Sequence, residues 1–291
     1  MLELKTIVAP VDLSQRSIVG VEHAVALARK FGSRLVFGHV VPMLPDEHPV
    51  NIRALYPEAH WHGFEDLNAK LYDQMKALID PHADGVKAEK LVLAGDPASE
   101  IKKLTEEREA GLVVMPTHGY GPFRRFLLGS VTNKVLNDVS CPVMTGAHLP
   151  EITPINPEPY KRVACAVGLD QHSETALGWA WEFAQAYEAD LIVIHAGPRF
   201  EDAMAYGEWF PASAMEQVVQ DNRRRVDELI AKVGCAAEVH VENGDPVGVV
   251  REIADKAHAD VLVVGRSPAS EHFRTNAFGL IRMAPCPVIS V

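Results

Sequence analysis

The sequence predicts an α/β chain of two tandem domains, each a five-stranded, mostly parallel sheet with helices on both faces. Three observations carry this. Short runs rich in Val and Ile alternate with longer stretches of helical periodicity along the 291 residues, a pattern that calls for parallel strands buried between helices. The order of these runs starts again after a proline cluster in mid-chain. The length is also about twice that of a usual domain.

In the first half, Thr6 to Val11 is a strand ending at Asp12-Leu13-Ser14, after which Ile18, Val21, Val25 and Ala28 recur at helical spacing until Phe31-Gly32. Arg34 to Val41 is the second strand, stopped by Pro42. Residues 43–62, with Pro45, Pro49 and Pro57, read as a long excursion between elements. Phe64, Leu67, Leu71, Met75 and Leu78 then mark a helix up to Pro81. The third strand lies within Val86 to Leu93. Gly95-Asp96-Pro97 caps the next helix, to about Glu109, with the proline in the first turn, where its missing N–H costs nothing. Leu112 to Met115 is the fourth strand and runs into a glycine-bearing loop. A short helix covers Ser130 to Asp138, and Ser140-Cys141-Pro142 leads to a last strand near Val143.

Pro150, Pro154, Pro157 and Pro159 make residues 148–159 a stiff linker between a domain at 1–147 and one at 160–291. Beyond it the pattern repeats. Arg162 to Val167 answers the first strand and Leu191 to His195 the second, while Gly244-Asp245-Pro246 follows Gly95-Asp96-Pro97 at an offset of 149 (244 − 95). Val261 to Val264 matches Leu112 to Met115, and Cys286-Pro287-Val288 matches Cys141-Pro142-Val143. The chain is an internal duplication.

Composition excludes several classes. With 47% hydrophobic and 23% charged residues the chain is an ordinary globular protein, and a net charge of −11 argues against a general binder of nucleic acid or of anionic membranes. No apolar run reaches about 18 residues, and the start, Met-Leu-Glu-Leu-Lys-Thr-Ile-Val, lacks the pattern of a signal peptide. The four cysteines form no Cys-x2-Cys pair, as expected of buried thiols in a reducing compartment. A cytoplasmic location is the expectation.

The stretch Met115 to Thr132 holds the chemistry. A buried strand that breaks into a glycine-bearing loop and resumes as a helix opening on Gly-Ser is how α/β proteins hold phosphate, on backbone N–H groups at the positive end of the helix dipole. Gly119, Gly121 and Gly129 are the backbone candidates and Ser130 the hydroxyl. Plainer roles stand beside these: glycines that merely turn, Ser130 as a helix N-cap, and Asp12 as the cap of the first helix rather than a ligand contact. Arg124 and Arg125 either pair with phosphate or are solvated. Arg223, Arg224 and Arg225 read as the exposed face of a helix beside Asp227 and Glu228. No catalytic residue is assigned, since His118 has no identifiable nucleophile or orienting partner. No metal is assigned either, since His60-x-His62 falls short of a zinc ligand set.

Pro116-Thr117-His118-Gly119, nine residues and then Gly129-Ser130, with Asp12 after the first strand and Cys-Pro-Val opening the last, resemble the universal stress protein family in a tandem form. The nucleotide-binding members of that family carry Gly-x2-Gly-x9-Gly-Ser/Thr. The resemblance covers nearly the whole chain outside the linker and the 43–62 excursion. It implies Rossmann-like domains, with Asp12 at the adenosine part of a ligand and the Val40 backbone at the adenine. Thr117, Gly119, Gly129, Ser130, Val131 and Thr132 then form the phosphate loop. It further implies an adenine nucleotide, ATP first with ADP and AMP open, held without fast turnover by a stress-response or regulatory protein that is not an enzyme. An intramolecular pseudo-dimer of the two domains is expected, with homo-oligomers open. The alternative is an interaction module on the same fold without nucleotide. Pro116 keeps it open, since proline replaces the family's first glycine and has no N–H to give.

The second half departs from the pattern. Aligning Ser17 with Ser173 places Gly168 opposite Asp12, with Asp170 two residues on. Counting back from each Cys-Pro-Val sets Arg274 opposite Gly129 and Thr275 opposite Ser130, after a loop four residues shorter. This half is expected to be a degenerate copy without the phosphate cradle, giving one nucleotide per chain.

Overall fold

The computed structural model describes residues 2–15, 17–42, 64–116, 128–146, 160–199, 211–266 and 271–291. They fall into two compact units, Glu3–Gly146 and the described part of Asn156–Val291. In the first unit the chain runs β1 (Thr6–Pro10), α1 (Ser17–Phe31), β2 (Arg34–Pro42), α2 (Phe64–Ile79), β3 (Ala88–Gly95), α3 (Pro97–Glu107), β4 (Leu112–Met115), α4 (Ser130–Asp138) and β5 (Val143–Thr145). The second repeats the order: β6 (Arg162–Ala166), α5 (Ser173–Tyr187), β7 (Asp190–Gly197), α6 (Ala212–Val233), β8 (Glu238–Asn243), α7 (Pro246–Lys256), β9 (Val261–Val264), α8 (Glu271–Met283) and β10 (Val288–Ser290).

Within each unit five strands pair, in the order β3-β2-β1-β4-β5 and β8-β7-β6-β9-β10. Every described pair inside a unit is parallel, with β2 in register against β1 from Thr6↔Arg34 to Pro10↔Gly38. The expected α/β architecture of tandem Rossmann-like domains is what the fold shows. The inner strands are buried along nearly their whole length because helices cover both sides, which is why Leu112–Met115 and Val261–Val264 read as unbroken apolar runs. β3 lies outermost in its sheet order and is partly exposed throughout. It carries Glu89 and Lys90, which pair with Arg108 at 2.7 Å and Asp80 at 2.6 Å.

Local chemistry sets the element ends. Asp96 caps α3 by accepting from Ser99 N–H at 3.1 Å and Ser99 Oγ at 2.7 Å, and Asp245 caps α7 by accepting from Gly248 N–H at 2.9 Å, each with proline next in the first turn. The preceding Gly95 and Gly244 take φ values of 148° and 155°, which side chains resist. Pro42 ends β2 from within, paired with Gly95, rather than from outside it. The 43–62 excursion and the 148–159 linker lie outside the described residues.

Candidate functional site

In each unit the strand order reverses beside the first strand, and α/β sheets bind ligands in the crevice that such a reversal opens at the carboxyl ends of the strands. In the first unit Asp12, Val40 and the start of α4 all lie at that end.

Asp12 follows β1 in a tight turn whose next residue, Leu13, has φ 61°. Its Oδ1 accepts from Ser14 N–H at 3.0 Å, Ser14 Oγ at 2.6 Å and Ser17 Oγ at 2.6 Å, while Ser17 Oγ accepts the Asp12 N–H at 3.1 Å. One carboxylate oxygen is thus spent on the turn and the entry to α1. Oδ2 makes no hydrogen bond among the described residues. The capping role and a ligand contact use different oxygens and are compatible.

Val40 is 9% exposed on β2 and stands opposite Leu93 of β3. In a parallel ladder, alternate residues turn both backbone groups to the same side. Arg34 N–H reaches Lys5 O, and Gly38 O takes the Val11 N–H at 2.9 Å, so the even positions face β1. The register with β1 ends at Gly38, so Val40 directs its N–H and C=O past the end of β1, into the crevice.

His39 was not singled out by the sequence. Its Nδ1 lies 2.9 Å from the Val11 carbonyl, so Nδ1 carries the proton, and the ring pins the residue before Asp12. Burial lowers its pKa against the opposing effects of that hydrogen bond and of the Asp12 carboxylate. His195 makes the same 2.9 Å contact to Val167 in the second unit. Two histidines 156 residues apart (195 − 39) were the signal that a repeat alignment would have found.

Helix α4 begins at Ser130 with Gly129 as N-cap, at φ −60° and ψ 145°. The reading of Ser130 as the N-cap is therefore corrected: it occupies the first helical position and is exposed. No side chain among the described residues caps this helix, unlike α3 and α7, and the first bond inside it runs from Asn133 N–H to Gly129 O at 2.8 Å. The N–H groups of Ser130, Val131 and Thr132 precede that bond and point out of the helix start. Thr132 is buried and its Oγ1 donates to Pro116 O at 3.2 Å, so what it can offer a ligand is its backbone. Pro116 faces Gly20 of α1, where a methyl added to the glycine would stand 4.0 Å from the ring; in the second unit Gly265 faces Ala176. Thr117, His118, Gly119, Gly121, Arg124, Arg125, His60 and His62 lie outside the described residues. No group of three or more metal-binding side chains occurs among the described residues.

The second unit is built differently at the same place. Its turn repeats the first one, with Leu169 at φ 57°, but Gly168 replaces Asp12. Asp170 Oδ1 accepts from His172 N–H at 3.0 Å, Ser173 N–H at 3.0 Å and Ser173 Oγ at 2.8 Å, and so holds the start of α5. Helix α8 starts at Glu271, one turn before Thr275, the residue aligned with Ser130. Residues 265–270 join β9 to α8, against residues 116–129 between β4 and α4. Half of that shortening is the missing loop residues and half is an extra helical turn. Arg223, Arg224 and Arg225 are all exposed, as expected; Arg223 pairs with Asp227 at 3.1 Å, Arg224 pairs with Asp221 at 3.3 Å, and Arg225 donates to Leu169 O at 3.3 Å.

The sequence profile of the Universal stress protein family matches residues 3–145 and again 159–291. Universal stress protein MJ0531 of Methanocaldococcus jannaschii is 32% identical over 142 residues, 48% of this chain and 80% of that protein. MJ0577 of the same organism is 25% identical over 154 residues and 93% of its own length. The crystal structure of a universal stress protein from Archaeoglobus fulgidus superposes with a TM-score of 0.66 at 22% identity, covering 100% of this chain and 97% of that one, a likeness of fold. Two matches in tandem, on two units of one architecture, show that the chain belongs to the Universal stress protein family.

Proposed function

We propose that this chain is a regulatory nucleotide-binding protein that holds one adenine nucleotide, ATP before ADP or AMP, in its first unit without fast turnover. The observation that carries the reading is the start of α4. Three backbone N–H groups, at Ser130, Val131 and Thr132, leave a helix end that no side chain among the described residues caps, at the carboxyl end of β4 where the strand order reverses. Phosphate oxygens suit such donors, and the dipole of the helix adds to the attraction. The outward backbone of Val40 suits an adenine edge, and the open oxygen of Asp12 a ribose hydroxyl. Gly119 and Thr117 complete the phosphate loop in this reading. The family to which the chain belongs supports a place in the stress response. The absence of any assigned nucleophile and base pair favours a sensor over a turnover enzyme, and we place the protein in the cytoplasm.

Within one chain we further propose that the last strands of the two units face one another as a pseudo-dimer, since β5 and β10 end their own unit's strand order and an open edge would invite aggregation. Crosslinks between residues beside β5 and β10, formed at dilution and within single chains, test this.

Mass spectrometry of small molecules released from freshly purified protein tests the main reading. A stoichiometric adenine nucleotide is expected. A protein that arrives empty and ignores added ATP overturns the reading in favour of an interaction module that uses the fold without nucleotide, which Pro116 in place of glycine would then explain.

A further inference from the structure

The two units differ at a spot that their common fold conceals. In the first, Val41 of β2 packs with Leu67 and Leu71 of α2, closed off by Leu13 and Val92. Its cross-strand neighbour in β3 is Ala94. In the second unit the position of Val41 is held by Gly197, and its cross-strand neighbour in β8 is Asn243. Helix α6 carries the buried Val226 and, one turn earlier, the buried Asn222. An apolar knot has been replaced by a glycine and two amides.

These amides converge. A Cβ on residue 197 would stand 2.2 Å from Asn243 Oδ1 and 3.0 Å from Asn222 Nδ2, so glycine is what admits them. Asn222 is 9% exposed, and its side chain makes no hydrogen bond among the described residues. Asn243 Oδ1 is buried and likewise has no partner there. His195 lies two residues before Gly197 on the same face of β7 and is 7% exposed. Its Nδ1–H is spent on Val167 O, which leaves Nε2 a lone-pair acceptor with no partner among the described residues. A buried polar group left open is costly, and Asn243 Oδ1 is one, beside Asn222 and on the face of β7 that His195 shares, at the carboxyl ends of β7 and β8, the ligand side of a parallel sheet.

We propose that His195, Asn222 and Asn243 form a second binding site, for a neutral molecule bearing neighbouring hydroxyls, the chemistry shared by a free pentose and a nucleoside. Two acceptors, His195 Nε2 and Asn243 Oδ1, and an amide that both donates and accepts match hydroxyl groups, each of which does the same. A phosphorylated ligand is disfavoured, because residues 265–270 leave a short connection in place of the long loop before α4, and the charged neighbour Arg225 is turned to the Leu169 carbonyl. The site stands on these residues and not on the nucleotide reading of the first unit.

The test is NMR of the full chain carrying 15N-labelled histidine, titrated separately with D-ribose and with adenosine. His195 reports the second unit and His39 the first, so failure at one site is distinguishable from failure at the other. A saturable shift of the His195 Nε2 signal is expected. It should weaken at least tenfold in Asn222→Leu and vanish in the triple variant Gly197→Val, Asn222→Leu, Asn243→Ala, which rebuilds the apolar knot that the first unit already folds with. A shift with both probes assigns the pentose as sufficient, and one with adenosine alone assigns the nucleoside. If neither probe moves His195, so that the groups hold water alone, or if the folded triple variant still responds, the proposal is overturned.

Discussion

Thr132 Oγ1 donates to the Pro116 carbonyl at 3.2 Å, fastening the first turn of α4 to the end of β4. The direction in which the open N–H groups of this helix point is therefore set by a side chain that is itself buried. Thr132→Val keeps the shape and removes the donor. It is expected to cost about 1 kcal/mol of stability, read as a lower urea midpoint, and to weaken ATP binding as well, while Thr132→Ser restores both. An unchanged midpoint in the valine variant would show that the bond does not hold the helix.

If phosphate approaches the start of α4, Gly129→Val places a branched side chain in its path. At least a tenfold loss of ATP affinity, about 1.4 kcal/mol, is expected by calorimetry. Ser130→Ala should cost less, on the order of 1 kcal/mol, because the backbone donors remain. Thr275→Ala, in the second unit, should leave ATP binding intact. A Gly129→Val protein that binds ATP like the parent would make the glycine stretch a turn and not a site.

One nucleotide per chain is the expected stoichiometry. Gly168 replaces Asp12 in the second unit, and α8 begins a turn early behind a short connection, so its crevice lacks both the carboxylate and the long loop of the first. Two equivalent ATP sites in a calorimetric titration would contradict this asymmetry.

His23, on the buried side of α1, has its pKa lowered by burial from 6.5 to about 4. Above pH about 6.5 the ring is neutral in both folded and unfolded chains and stability is unaffected. As pH falls from there towards 4 the unfolded chain takes up a proton that the folded one refuses, so stability is lost across that window, on the order of 3 kcal/mol in all. His23→Gln should flatten this part of the acid limb, measured as urea midpoints at pH 7 and pH 5. An equal drop in parent and variant would remove His23 as a cause.

Much of the fold was legible residue by residue because the signals are local. Leu112–Met115 and Val261–Val264 are strands at the expected bounds because a short unbroken apolar run beside helical patterns fits a strand covered on both faces. Gly95-Asp96-Pro97 and Gly244-Asp245-Pro246 announce helix starts because cap chemistry needs only neighbours in the chain. The start of α8 lies a turn before Thr275, the residue that counting back from Cys-Pro-Val sets opposite Ser130, because a helix gains a turn without changing any local pattern.

By itself the sequence determined the alternation of strands and helices, the duplication and the glycine stretch before Ser130, all of which depend on spacing along the chain. Tertiary structure alone decided which groups are spent and which are left over. One oxygen of Asp12 is spent on the turn while the other makes no hydrogen bond among the described residues, Arg225 donates to Leu169 O, and the amides of Asn222 and Asn243 meet over Gly197. Whether a hydrogen-bonding group is satisfied depends on atoms from distant parts of the chain coming within about 3 Å, a distance that no periodicity encodes.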